Sequence, residues 1–169
     1  MDIQKFHKLL KRNGVLSSGD MDHVKFEPVK VNELKYLLMA LLAIPALYVF
    51  FTITGPSIIG LIIMGAGISM GYNGIKTRND IIEFNSKSLE IGEQQIKFDA
   101  ENIPVQEAKS FKANLSTNPL FPNIKIDLIT SDREYCVLKI WGKKSKYLNE
   151  DKYEIIKGLN AILEHNKNK

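Results

Sequence analysis

The sequence predicts an α+β chain: a transmembrane helical hairpin, then a small antiparallel β barrel or sheet with a capping helix at its C-terminal end. Three observations predict it. From Tyr36 to Ile75, 40 residues pass without one charged side chain. From residue 79 onward, short runs alternate apolar and polar residues. The segment after Asn149 carries an apolar stripe at helical spacing. The chain therefore divides into an N-terminal arm (1–35), the hairpin (36–75) and a C-terminal β domain (79–169).

The mean hydropathy of −0.12 hides this division, because a very apolar middle is averaged with two charged ends. Such asymmetry is not expected of one soluble core. The net charge of +4 is modest, and the 23 Lys and Arg are spread along the chain. Nucleic acid is therefore not expected as a partner. The single cysteine, Cys136, excludes an internal disulfide and a paired-cysteine metal or redox site.

The arm opens with Ile3, Phe6, Leu9 and Leu10 at helical spacing, while Lys5, Lys8, Lys11 and Arg12 fall mostly off that face. Asp2 suits the start of the helix and Gly14 its end. Two readings of this basic amphipathic helix stand side by side. It lies on an anionic lipid surface through Lys5, Lys8, Lys11 and Arg12, or it packs on the C-terminal domain. Residues 15–32 read as a polar connector, and His7 and His23 as solvated side chains.

A helix crosses a bilayer core of about 30 Å with roughly 20 apolar residues. The uncharged stretch holds two such helices, with Thr54-Gly55-Pro56-Ser57 as the turn between them. The first, Tyr36 to Ile53, carries Pro45 near its centre, where a kink is expected. The second, Ile58 to Ile75, places Gly67 four residues before Gly71 and Gly65 four before Ser69. Small residues at that spacing let another helix approach closely. That helix is the first span of the same chain or, as a homodimer, the span of a second copy.

The inter-span loop has no charge, whereas Lys25, Lys30 and Lys35 precede the hairpin and Lys76 and Arg78 follow it. The positive-inside rule then puts both termini in the cytoplasm. A cleaved signal peptide is not expected, because a polar segment of 35 residues comes first and a second span follows at once.

In the C-terminal region, Ile81–Phe84, Ser88–Ile91 and Gln95–Phe98 read as strands, and Ile103–Leu115 as a longer, less regular segment. Asn118–Asn123 reads as a loop. The clearest strands are Ile124–Thr130 and Glu134–Trp141, separated by Ser131-Asp132-Arg133. The last element is a helix capped by Asn149, with Glu150 and Asp151 in its first turn. Tyr153, Ile156, Leu159 (or Ile155), Ile162 and Leu163 form its stripe. Gly158 marks a close approach, expected to be to a strand.

This order resembles the pleckstrin-homology-like superfold, in particular the bacterial domains of that type that follow a two-span hairpin. The residues that carry the resemblance are Ile81 to Ile91, Ile96-Lys97-Phe98-Asp99 leading to Asn102-Ile103, Ile124 to Trp141, and the helix from Asn149. The resemblance implies a bacterial plasma-membrane protein that binds lipid head groups, peptides or protein partners. The family's phosphoinositide site uses several basic residues in the first hairpin turn, and this chain offers only Lys87 there. A second basic group, Lys143, Lys144 and Lys146, is either a lipid-surface contact or a solvated loop.

No catalytic arrangement, cofactor motif or metal-ligand set is legible. Cys136 sits among apolar neighbours in a strand and reads as a structural thiol. The hairpin has no acid, base or histidine for a proton or ion path. The expectation is a membrane-anchored, non-catalytic interaction module for a protein partner or a lipid surface. The alternative is an accessory subunit of a membrane complex, joined through the hairpin.

Overall fold

The computed structural model describes residues 2–28, 34–85, 87–115, 123–141 and 145–169. The chain forms two compact units. One joins Met1–Val29 to Phe84–Lys169, and the other is Lys30–Glu83.

The first unit begins with helix α1, Ile3–Arg12. The Asp2 carboxylate accepts from the backbone N–H of Gln4 and Lys5 at 3.1 and 3.3 Å, satisfying two of the donors a helix start leaves open. Strands β1 (Val15–Gly19) and β2 (Val24–Pro28) follow. Asp20 turns the chain between them by accepting from the N–H groups of Asp22 and His23, both at 3.0 Å. The expected polar connector is therefore a hairpin over residues 15–28, and 29–32 lie outside the described residues. Val15, Val24 and Phe26 are fully buried, and this alternation is what makes the hairpin fold onto a core.

The second unit holds α2 (Leu34–Leu41), α3 (Ala43–Val49) and a π-helical turn at Phe50–Thr54. The break between α2 and α3 lies at the carbonyl of Leu41, which Pro45 cannot reach because it has no N–H. Ser57 then starts α4 by accepting from Gly60 N–H at 3.1 Å through its hydroxyl. Helix α4 is continuous from Ile58 to Asn85, 28 residues, or about 42 Å at 1.5 Å per residue. The expected strand at Ile81–Phe84 is thus the last part of this helix. No glycine or proline stands between Ile75 and Asn85 to end it.

The chain then returns to the first unit with β3 (Leu89–Ile91), β4 (Gln95–Phe98) and β5 (Glu101–Pro104). A short 3₁₀ turn, Val105–Glu107, leads to β6 (Ala108–Leu115), so the irregular segment at 103–115 is two strands around a turn. Strands β7 (Asn123–Thr130) and β8 (Glu134–Trp141) follow, then helix α5 (Ser145–Lys167). The expected loop at 118–122 lies outside the described residues, and Asn123 opens β7. Helix α5 starts four residues before the expected cap at Asn149.

All pairing is antiparallel. One sheet has the order β1-β2-β3-β4-β5 and the other β6-β7-β8, and the two are not closed into a barrel. Strand β2 pairs directly with β3, with Val24 opposite Ile91 and Phe26 opposite Leu89. Residues 30–83 are therefore an insertion between two neighbouring strands of one sheet. The β domain is not the contiguous piece 79–169 but draws one helix and two strands from the N-terminal arm.

Both sheets share a core with α1 and α5. From α5 the buried apolar side chains among the described residues are Ile155, Leu159, Ile162 and Leu163, while Tyr153 is 70% exposed. The stripe thus runs through Ile155, the alternative the pattern offered, with Ile156 packed partly buried against the core and Tyr153 turned out of it. Gly158 meets the ring of Phe6 on α1, not a strand.

Candidate functional site

Four groups of polar or small residues are candidates, and the first is α1. Phe6 and Leu10 are buried, and Ile3 and Leu9 pack against the core. Phe6 meets Phe26 edge-on at 6.4 Å between ring centres. The apolar face of α1 is therefore used inside the domain. Lys5, Lys8 and Lys11 lie on the opposite face and are exposed, with Lys5 only 3.8 Å from the flanking Asp2 carboxylate. Arg12 leaves this group. Its guanidinium donates to the buried carboxylate of Asp151 on α5, and Asn13 Nδ2 donates to the same carboxylate at 2.9 Å. Asp151 is thus the anchor of α1, not a simple first-turn acid.

The second group is the small-residue face of α4. A Cβ at Gly67 would collide with Cβ of Ala46. One at Gly71 would fall 2.9 Å from Ala43 Cβ and 3.3 Å from Ala40 O, and one at Gly74 would fall 3.0 Å from Tyr36 O. Gly67 and Gly71 therefore meet the first leg of the same hairpin. Gly65 has nothing within 4 Å of where a Cβ would stand, and both it and Ser69 are exposed. The two four-residue spacings lie on different faces of the helix.

The third group holds the histidines, all three of which have partners. His7 Nδ1 lies 2.6 Å from Ser17 Oγ, and its Nε2 lies 3.1 Å from the carbonyl of Gly19. With the proton on Nε2, Nδ1 accepts from the Ser17 hydroxyl and ties α1 to β1. A backbone carbonyl orients the imidazole but carries no charge to stabilise an imidazolium as a triad carboxylate does. His23 lies 2.7 Å from Glu90, and His165 lies 2.7 Å from Asp22. Lys169 bridges Asp22 at 2.5 Å and Glu93 at 2.8 Å. Bonds from Lys169 and then His165 hold the Asp22 carboxyl below its ordinary value, and His23 does the same for Glu90. Among the described residues no group of three or more His, Cys, Asp or Glu is arranged to hold a metal ion.

The fourth group was not singled out from sequence. On the outer face of the three-stranded sheet, Asp127 is 2% exposed. Its carboxylate lies 3.1 Å from Lys125 Nζ and accepts from Asn114 Nδ2 at 3.2 Å. The bond to Asp127 raises the Lys125 ammonium above its ordinary value. Cys136 is the cross-strand partner of Asp127, and burial pushes its thiol up to about 11. The signal for this group was Lys125 and Asp127, opposite charges two residues apart and so on one face of β7.

Lys143 and Lys144 lie outside the described residues, and Lys146 falls in the first turn of α5. Comparison with family models, with curated proteins and with solved structures finds no match to this chain. Two helices, Tyr36–Thr54 and Ile58–Glu83, are long and apolar enough to cross a membrane.

Proposed function

We propose that this chain is a membrane-anchored, non-catalytic interaction module. Its hairpin spans a bacterial plasma membrane, and its split domain, of pleckstrin-homology-like type, works at the cytoplasmic face. The observation that carries the reading is the insertion of the hairpin between β2 and β3. Two strands that pair directly must be on one side of a bilayer, so the inserted segment crosses an even number of times. Basic residues flank it and none stands in its loop, which favours the cytoplasm for both flanks. The PH-like assignment rests on the run of short antiparallel strands ending in one C-terminal helix that packs on the core.

The contact we assign to this domain is an anionic lipid surface met by Lys5, Lys8 and Lys11. With Phe6 and Leu10 buried in the domain, the contact is electrostatic and not an insertion. Each basic residue near such a surface contributes about 1 kcal/mol. Arg12, committed to Asp151, is not part of it.

A fluorophore at Gln4→Cys, with quencher-bearing headgroups in nanodiscs, tests this. Quenching is expected in phosphatidylglycerol and not in phosphatidylcholine, and Lys5→Gln with Lys8→Gln is expected to reduce it. Equal quenching in both lipids, or none in either, would remove the lipid reading.

The second reading is an accessory subunit joined through the hairpin. Gly67 and Gly71 meet the first leg of their own chain, so such an interface would use the Gly65 and Ser69 side of α4.

A further inference from the structure

The junction of α1 and β1 carries a reactive dipeptide that the fold itself requires. Asn13 closes α1 as its C-cap, and Gly14 follows at φ +78°, the left-handed region in which a side chain is strained. Asn13 is buried, and its Nδ2 donates both to the carbonyl of Leu9 and to the Asp151 carboxylate, each at 2.9 Å. Position 13 therefore uses an amide, and position 14 uses a glycine. Together they make Asn-Gly, the pair in which asparagine loses its amide most readily, because no side chain shields the nitrogen that follows it.

In that reaction the backbone nitrogen of Gly14 gives up its proton and attacks Cγ of Asn13. A C–N bond forms, the Cγ–Nδ2 bond breaks, and the amide leaves as ammonia with the proton. Water then adds across one of the two C–N bonds of the succinimide, leaving aspartate or isoaspartate. The docked helix holds each atom of this step in place. Nδ2 has its two acceptors, and the Gly14 N–H donates to the carbonyl of Lys11 at 3.2 Å. Arg12, one residue before, donates to the same Asp151 carboxylate, and Phe6 lies against Gly158 of α5. Ring closure has to break these bonds, so it waits on local opening of α1 from α5.

We propose that Asn13-Gly14 is a deamidation site gated by the docking of α1, and that its product keeps α1 from docking again. Both products put a carboxylate where the amide donated to the buried Asp151 carboxylate. Arg12 offsets one of the two negative charges and not both, and like charges that share a site disfavour each other. Isoaspartate also routes the main chain through the side-chain carbon, which lengthens the link between α1 and β1 by one backbone atom. Opening of α1 is reversible and deamidation is not, so the site marks those chains whose N-terminal helix has left the domain. The site is independent of the lipid contact, because it acts whether or not Lys5, Lys8 and Lys11 meet lipid.

The test incubates the full chain in neutral phosphatidylcholine nanodiscs at mildly alkaline pH and follows Asn13 by mass spectrometry. A synthetic peptide of residues 8–18 gives the rate of the free sequence. A hydrogen bond to a charged group shifts an opening equilibrium by about tenfold or more, so Asn13 in the full chain should deamidate at least about tenfold more slowly than in the peptide. Asp151→Ala, which leaves Asn-Gly untouched, should speed the reaction in the full chain by about tenfold. A thermal melt establishes that this variant is folded, and if it is not, Arg12→Gln serves, with a smaller rise. The product is tested by Asn13→Asp against Asn13→Ala, which loses the same bond without adding a charge. Asn13→Asp should make α1 more sensitive to trypsin after Lys8 and Lys11 than Asn13→Ala does. Equal rates in the folded chain and the peptide, or a rate that the Asp151 or Arg12 variant leaves unchanged, would overturn the gating. Equal trypsin sensitivity of the two Asn13 variants would overturn the block on redocking.

Discussion

The two units use the same side chains in opposite ways. In the split β domain, Phe26, Leu89, Ile96, Phe111, Ile126 and Leu159 are buried, and lysines cover the outside. In the hairpin, Leu38, Ile44, Phe51, Ile53, Ile59 and Ile62 are between 55% and 75% exposed, and Gly67, Gly71, Ala43 and Ala46 meet inside. Water drives large apolar residues inward, because removing them from it is favourable. Lipid tails are as apolar as leucine, so no such drive exists there, and helices associate by close backbone approach. Outside residues 34–85, the only exposed large hydrophobics among the described residues are Leu16 and Tyr153. The contrast is what the proposed membrane hairpin requires of the two units.

The largest expected effect comes from cutting the chain according to one unit or the other. A fragment of residues 79–169 lacks α1, β1 and β2, so it bares the edge of β3 and the face of α5 at Gly158. It should show no cooperative unfolding transition. Residues 2–28 joined by a short flexible linker to 87–169 should show one. A urea transition in the fragment alone would mean that the N-terminal half is dispensable and that the insertion is not the organising feature.

Core truncations come next. Replacing one large buried side chain by alanine costs about 2–5 kcal/mol, and a domain of this size holds about 5–15 kcal/mol in total. Leu159→Ala with Leu163→Ala should therefore nearly unfold the joined domain. Tyr153→Ala should move its urea midpoint little. Leu38→Ala and Ile62→Ala in the full chain, at exposed positions that the membrane reading turns to lipid, should also leave the melt nearly unchanged. A large loss at Ile62 would place that side chain in a protein core and break the contrast.

A smaller, local effect is expected at the glycines. Gly67→Ile or Gly71→Ile should force the hairpin legs apart and raise protease sensitivity in detergent, whereas Gly65→Ile should not. Equal effects at Gly65 and Gly67 would mean that both faces of α4 are packed. The smallest effect is chemical. With its thiol held up to about 11, Cys136 should alkylate slowly at neutral pH, faster as pH rises toward that value, and readily once the domain is unfolded. Rapid alkylation of the folded protein at neutral pH would contradict the burial that raises it.

Much of this was legible from residues. The absence of charge from Tyr36 to Ile75 is a property of composition, and no tertiary contact can hide it. Strands β7 and β8 and helix α5 were legible because Ile124, Ile126 and Leu128 alternate and Leu159 and Leu163 recur at helical period. The misses have common causes. Val24-Lys25-Phe26-Glu27-Pro28 is too short to distinguish from a connector until β3, more than 60 positions later, supplies its partner. Ile81–Phe84 has the composition of a strand, but a helix already running has no signal there to stop it. The anchoring role of Asp151 needs Arg12 and Asn13 beside it, which no local pattern discloses. The bond from Asn114 to Asp127 on the outer sheet face appears only after the β6-β7 register is known. The α1 lysines were legible as a face, but not that the opposite face of α1 is buried.

On the proposed reading, the hairpin inserted between β2 and β3 spans the membrane and leaves both halves of the domain in the cytoplasm. Cysteines at Ser18→Cys on exposed β1 and Ser57→Cys in the inter-leg turn, each in a Cys136→Ala background, test it most directly. An impermeant thiol reagent applied to intact cells should label position 57 and spare position 18 until the membrane is opened. Labelling of both positions from outside, or protection of both, would contradict the account.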